Sequence, residues 1–393
     1  MGKPVREVKL RSRAALGAVL RGHPWVWRDA VEKGIEEAVA GEQVQVISHE
    51  GSAVGRGLVD GDSPIGIRMW THGTAPIDGD LFRRRLGAAV ALRRTLLGDD
   101  TDAYRLLHGE GDRMPGFVVD RYAAVAVLRT DGEGAAARQA DLVEALRPVL
   151  SSIGVATLVH RQRRRDGSRE LQVLSGPAPA DSLVVREHGV TFVVDVTHGQ
   201  KTGAFLDHRE NRRRVGQLSR GRRVLNLFSY TGGFSVHALL GGARHVTNVD
   251  VAAAAHATAQ ESFRLAGLDP RAHAFVVADA QGFLVSAAAR GERWDLIVSD
   301  PPSFAPSERA RSGALSAYRA LHRACVRVLG EGGILCAASC SSHVDATAFL
   351  STLDDAALGG RPLVVAELHG AGADHPTTAC FPEGRYLKFA LLA

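Results

Sequence analysis

Cys340 sits in the run Ala338-Ser339-Cys340-Ser341-Ser342, just after the apolar segment Ile334-Leu335-Cys336-Ala337. A thiolate in a strand-end loop is a nucleophile of a particular kind. Carbon 5 of a pyrimidine reacts poorly with electrophiles. A thiolate that adds to C6 makes C5 enamine-like, so C5 can take a methyl group. A base then removes the C5 proton and the thiolate leaves. A lone cysteine is more often a small buried hydrophobe. Cys336, inside the apolar segment, reads that way, and Cys325 and Cys380 read as structural. Cys340, among three serines, reads as catalytic.

Asp300-Pro301-Pro302-Ser303-Phe304 closes another apolar run, 294–298. Two prolines fix the backbone so that it arches over a pocket. Asp300 and a carbonyl there can hold a planar heterocycle by its polar edge, and Phe304 can stack on it. A rigid turn with a capping aspartate is the plainer alternative. Asn226-Leu227-Phe228-Ser229-Tyr230-Thr231-Gly232-Gly233-Phe234 ends a third apolar run with a glycine turn. Such a turn lets backbone approach a ligand closely. Asp250 and Asp279 end the next two runs, where a carboxylate can accept ribose hydroxyls or reach an adenine edge. Each alone could equally be a helix N-cap. The three in order describe a nucleoside site. The full pyrophosphate fingerprint of nicotinamide enzymes is missing, so the short turn suits S-adenosylmethionine better than NAD. Segment 198–209 is packed with polar groups around two glycines. It reads either as a surface loop or as a cover over the cofactor's amino-acid tail.

These residues need a scaffold. From position 190 onward, apolar strands alternate with helices, which predicts a parallel sheet with helices on both faces. Strands are expected at 224–228, 246–250, 275–277, 294–298 and 334–337. Helices are expected at 209–218, 233–240 and 314–329, with two terminal strands, 364–368 and 386–390, as an antiparallel edge pair. Ahead of this lie a small glycine-punctuated β-rich unit, 1–75, and an α+β unit, 76–187, with a basic amphipathic helix at 81–97. Gly22-His23-Pro24-Trp25-Val26-Trp27 is an aromatic cluster beside Arg21 and Arg28. Two core tryptophans in a small barrel outweigh base stacking by Trp25 with Arg21 as a phosphate contact.

The 393 residues are 45% apolar and 23% charged, ordinary for a folded chain with several cores. No apolar run approaches the ~18 residues of a membrane span, and no signal peptide is read at the N-terminus. The four cysteines include no CxxC pair, which excludes a disulfide framework and points to the cytoplasm. No His/Cys/carboxylate group has metal-ligand spacing, so no metal is expected. Net charge is +5. Arginines cluster at 83–85, 161–165, 212–214 and 220–223, as solvated faces or as tracks for a phosphate backbone.

In this order, the motifs resemble the bacterial 23S ribosomal RNA 5-methylcytosine methyltransferases that carry an N-terminal PUA domain. The resemblance also rests on Ser63-Pro64-Ile65-Gly66-Ile67-Arg68, Tyr104-Arg105-Leu106, Gln200-Lys201-Thr202-Gly203, Asp374-His375-Pro376 and Tyr386-Leu387-Lys388. It implies a seven-stranded Rossmann-like methyltransferase domain over 188–393, a PUA-like barrel over 1–75 and a central domain over 76–187. It implies an RNA cytosine target in the large ribosomal subunit, with a homodimer left open. Cys340 would be the nucleophile and Asp300 would meet the ring near N3, beside the cofactor. Asn226, Phe228, Ser229, Tyr230, Gly232, Asp250 and Asp279 would hold the cofactor, with Gln200, Thr202, Phe205 and Asp207 closing over it. Pro301, Pro302, Phe304, His375 and Pro376 would shape the target pocket. The chain departs from the family at Ser303, where lysine is expected, and at Ser342, where glycine is. The rival readings are methylation of a ring nitrogen such as guanine N7, which needs no thiol, and an RNA-binding assembly factor without turnover.

Overall fold

The computed structural model describes residues 5–163 and 169–393. It divides into two compact units. One takes the chain up to Asp181 together with Ala373–Gly384; the other takes Ser182–Gly372 and Arg385–Ala393.

In the first unit, six short strands between Arg6 and His72 make one sheet. Val8, Leu10, Val44, Val46 and Ile67 fill its core. A second sheet of five strands runs from Ala103–His108 to Arg169–Ser175. Helices Gly79–Leu96 and Gln139–Ser152 contribute Phe82, Leu86, Leu142 and Leu146 to its core. The helix expected at 81–97 begins earlier because the Asp78 carboxylate accepts from the Leu81 N–H at 2.9 Å. Its Arg93 is fully buried, bidentate on Asp112 at 2.6 and 2.8 Å, and donates to the Asp374 carbonyl at 2.6 Å. That bond ties the late segment Ala373–Gly384 into the first unit.

The second unit begins with the hairpin Leu183–Glu187 and Val190–Val194. Its main sheet has seven strands: β1 (Arg223–Leu227), β2 (His245–Asp250), β3 (Ala274–Val277), β4 (Trp294–Ser299), β5 (Leu329–Ser339), β6 (Val365–His369) and β7 (Lys388–Leu392). The order is β3-β2-β1-β4-β5-β7-β6. All pairings are parallel except those of β7 with β5 and β6. Helices α1 (Arg209–Leu218), α2 (Gly233–Leu240), α3 (Ala253–Leu265), α4 (Ala280–Ala289) and α5 (Arg311–Val328) accompany it. The terminal strands do pair antiparallel, and β7 lies inside the sheet with β6 outside it. The parallel strands are apolar on both faces because the sheet is covered on both. One core holds Leu225, Leu227, Ile297, Trp294 and Tyr318; the other holds Val224, Val246, Leu296 and Phe389. Gly232 sits at φ 75°, and a Cβ there would lie 2.9 Å from the Ala259 Cβ, so the turn before α2 packs tightly against α3.

On α5, His322 is fully buried and its Nδ1 lies 3.2 Å from the Thr352 carbonyl. Burial pulls its pKa down to about 4. A histidine lowered in the fold binds its proton more readily when unfolded, so stability falls as pH drops below the ordinary histidine range, toward 4. Between pH 7 and 5 this one group costs about 2 kcal/mol by linkage. Urea melts at the two pH values should show a smaller acid loss, by about that amount, in His322→Gln.

Candidate active site

The carboxyl end of β1 carries three consecutive departures into left-handed backbone at alternate positions. Phe228 has φ 55°, Tyr230 φ 45° and Gly232 φ 75°. Non-glycine residues in this region cost of order 1–3 kcal/mol each and persist only where surroundings enforce them. Here three bonds enforce them. Ser229 N donates to the Val249 carbonyl at 3.0 Å, Gly232 N to the Ser229 carbonyl at 2.8 Å, and Tyr230 N to Asp250 Oδ2 at 2.8 Å. The turn therefore presents Ser229, Tyr230 and Thr231 to a cavity and at the same time fixes Asp250, whose other oxygen accepts from Ala252 N at 2.9 Å. The next residue, Val251, is 71% exposed.

Segment 198–208 folds back on this turn. Gln200 N donates to the Tyr230 hydroxyl at 2.8 Å, and the Phe205 and Tyr230 rings meet edge to face, 5.4 Å between centroids. Asp207 is only 2% exposed. Its Oδ2 accepts from Lys201 Nζ at 2.7 Å and from the Tyr386 hydroxyl at 2.8 Å.

Asp300 follows β4 and Cys340 follows β5, adjacent strands of the sheet. His208 Nε2 lies 3.2 Å from Asp300 Oδ2. Burial pushes the Cys340 thiol up, Asp300 pushes it further, and Lys201 opposes both. Below the two loops is a cluster of hydroxyls. Tyr318 OH reaches Ser339 Oγ at 2.9 Å and Ser341 Oγ at 3.1 Å, and Ser303 Oγ reaches Ser341 Oγ at 3.1 Å. The serine at position 303 thus joins the Asp300 loop to the Cys340 loop.

One cavity of the second unit is lined by Gln200, Phe205, Asp207, Phe228, Ser229, Tyr230, Asp250, Asp300, Pro301, Pro302 and Cys340. The remaining residues singled out in the sequence stand elsewhere. Asn226 is buried within the sheet, bonded to Ser235 Oγ at 2.9 Å. Thr202 is buried beneath its loop, and Gly232 forms the tight turn without lining the cavity. Asp279 caps α4, accepting from Gly282 N at 2.8 Å, as a plain N-cap would. Phe304 packs on Tyr318, 4.9 Å between centroids. His375 and Pro376 belong to the first unit, where the His375 ring lies 4.9 Å from His108. Arg21 is an exposed residue of that unit. Trp25 donates to Glu110 at 2.8 Å and packs on Phe381 at 4.7 Å.

The arginine clusters are partly internal. Arg212 is bonded to Glu187 at 2.9 Å, and Arg214 holds Glu367 at 3.0 Å. Arg85 donates to the Trp70 and Arg113 carbonyls, and burial lowers it to about 10. Arg164 and Arg165 lie outside the described residues. Phe192, His208, Arg212, Phe234 and Val251 also line the cavity; sequence reasoning assigned none of them a role of its own, although His208 and Phe234 lie within motifs it singled out. Of these only Val251, an apolar residue directly after a strand-end carboxylate, carried a usable signal.

The sequence pattern of S-adenosylmethionine-dependent methyltransferases matches residues 134–361, and that of PUA-like domains matches residues 8–72. The ribosomal RNA large subunit methyltransferase I of Shigella boydii is 37% identical over 94% of this chain and 95% of its own. The protein of that name from Aeromonas salmonicida is 35% identical over the same shares. The chain belongs to the ribosomal RNA large subunit methyltransferase I family. An S-adenosylmethionine-dependent methyltransferase of Streptococcus mutans, 22% identical, shares the fold, with a TM-score of 0.86 over 99% of this chain and all of that one. S-adenosylmethionine is accordingly the methyl donor of this family member. The cavity suits it. Ser229 Oγ is buried there without a hydrogen-bond partner among the described residues, and three carboxylates, of Asp207, Asp250 and Asp300, face a ligand whose reactive sulfur is cationic. Among the described residues there is no group that could hold a metal, and no helix is long and apolar enough to cross a membrane.

Proposed function

We propose that the protein methylates C5 of a cytidine in large-subunit ribosomal RNA, with Cys340 as the nucleophile. The observation that carries this reading is the meeting of Cys340 and Asp300 on the wall of the cavity that holds the glycine turn and Asp250. The relatives' name supplies the substrate class.

The donor supplies an electrophilic methyl group. Asp250 keeps lone pairs for ribose hydroxyls, since each oxygen accepts only one backbone N–H. Val251 offers an apolar platform to the adenine, Ser229 and Gln200 supply polar contacts, and Asp207 with Lys201 meets the amino-acid tail. Asp300, seated on His208, holds the cytosine at N3 through a proton shared between them, since carboxylate and N3 are both acceptors. The Cys340 thiolate would add to C6, and the electron pair displaced to C5 would take up the methyl carbon as its bond to the donor's sulfur breaks, leaving a neutral thioether. Loss of the C5 proton and of the thiolate restores the ring. The base must leave its stack to reach both groups, so a flipped or single-stranded nucleotide is the substrate.

The test is tritium release from RNA labelled at cytosine C5, run beside transfer of a labelled methyl group. Release in step with methyl transfer is the expected result. Methyl transfer with no release would sink the C5 reading and put a ring nitrogen in its place.

A further inference from the structure

Lys388 is the first residue of β7, in register with Ser339 of β5, the residue before Cys340. It is 4% exposed. Its Nζ donates to the Ser341 carbonyl at 2.7 Å and to the Tyr386 carbonyl at 2.8 Å. The side chain thus brackets the nucleophile, paired with its predecessor through the backbone and with its successor through the ammonium group. Among the described residues no carboxylate forms an ion pair with it. A buried ammonium group with only carbonyls for company is costly, because two neutral dipoles replace water poorly. A negative charge forming beside it recovers that cost. Cys340, one residue before the carbonyl that Lys388 binds and the first of the groups that raise the lysine's pKa, is the group that becomes negative in the reaction.

We propose that Lys388 is a positioning residue for the nucleophile, pinning the Cys340 loop and holding a buried positive charge that has no ion-pair partner among the described residues until the thiol ionises. The inference rests on Cys340 being the nucleophile. The charge is fixed before reaction, so it stabilises the thiolate without reorganisation. The neighbours push the thiol both ways. Asp300 and Asp207 raise its pKa and Lys201 lowers it. Tyr318 stays neutral, raised by burial, and His208 faces Asp300. Burial draws Lys388 down to about 8, while Cys340 and then Asp345 push it back up. The lysine therefore carries its charge at neutral pH and loses it through about 8, while burial and Asp300 hold the thiol above its ordinary range.

Alkylation of Cys340 by iodoacetamide, followed on its own peptide across pH 6–10, reads thiolate formation without donor or RNA. Lys388→Met should move the midpoint up by about one unit, slowing alkylation roughly tenfold at pH 7.5. Lys388→Arg, whose charge does not titrate in this range, should keep the midpoint at or below the wild-type value. A Lys388→Met profile that superimposes on wild type, with unchanged melting and donor affinity, would overturn the proposal. If Lys388→Met does not fold, the arginine variant decides: a midpoint raised above wild type also overturns it. None of these results depends on which base is methylated, so failed tritium release leaves this test intact.

Discussion

Cys340→Ala should abolish methyl transfer to cytidine, at least a thousandfold below wild type, while donor affinity changes by less than about twofold. The magnitude follows from what the thiolate does. Without addition at C6, C5 carries no usable electron pair, and the remaining groups can only hold reactants near each other. Donor binding is spared because, on the proposed reading, its contacts are made by β1, β2 and the loop at 200–207 and not by the thiol, which shares their cavity. RNA containing 5-fluorocytidine gives the complementary result. Fluorine at C5 cannot leave as a proton does, so elimination stops and wild type should accumulate a covalent complex with RNA. Cys340→Ala should form none. Cys380→Ala is the control, since Cys380 belongs to the first unit. Alanine at 340 with activity within tenfold of wild type would show that no thiol adduct is formed.

The parts of this site that were legible in sequence are those fixed by backbone. Apolar strands, a glycine turn and carboxylates at strand ends follow from local rules, and the turn at Phe228-Ser229-Tyr230 lies where its motif put it. Asp250 lines the cavity because strand and turn together aim it. Asp279 shows the limit: the same residue type after a strand caps a helix through a hydrogen bond from Gly282, a role that local pattern does not separate from ligand contact. Phe304 was read as a stacking ring, but its neighbour in space is Tyr318, fourteen residues on and invisible to local pattern. His208 and Lys388 were missed as site groups because their meaning is entirely tertiary. His208 matters through Asp300, ninety-two residues away, and Lys388 through a carbonyl forty-seven residues away. The Trp25 ring, read mainly as packing, donates to Glu110 and lies edge to face against Phe381.

Asp300→Ala should move two observables in opposite directions. The carboxylate raises the Cys340 thiol's pKa, second only to burial. Its removal therefore makes the thiolate easier to form, and Cys340 should be alkylated severalfold faster at pH 7.5. Turnover should nevertheless fall about a hundredfold or more, because addition at C6 pushes electrons toward N3 and, on the proposed reading, a proton held between the Asp300 carboxyl and N3 neutralises that charge as it develops. A gain of several times in thiolate cannot offset a loss of that size. His208 sharpens the test: it faces the same carboxylate at 3.2 Å, so His208→Ala should lower turnover less than Asp300→Ala, since it loosens the carboxylate without removing it. If Asp300→Ala speeds alkylation and turnover alike, the carboxylate acts only as a brake on the thiol and its place on the cytosine edge is wrong. If alkylation is unchanged while turnover collapses, the carboxylate acts on the ring alone, and the thiol's raised pKa belongs to burial.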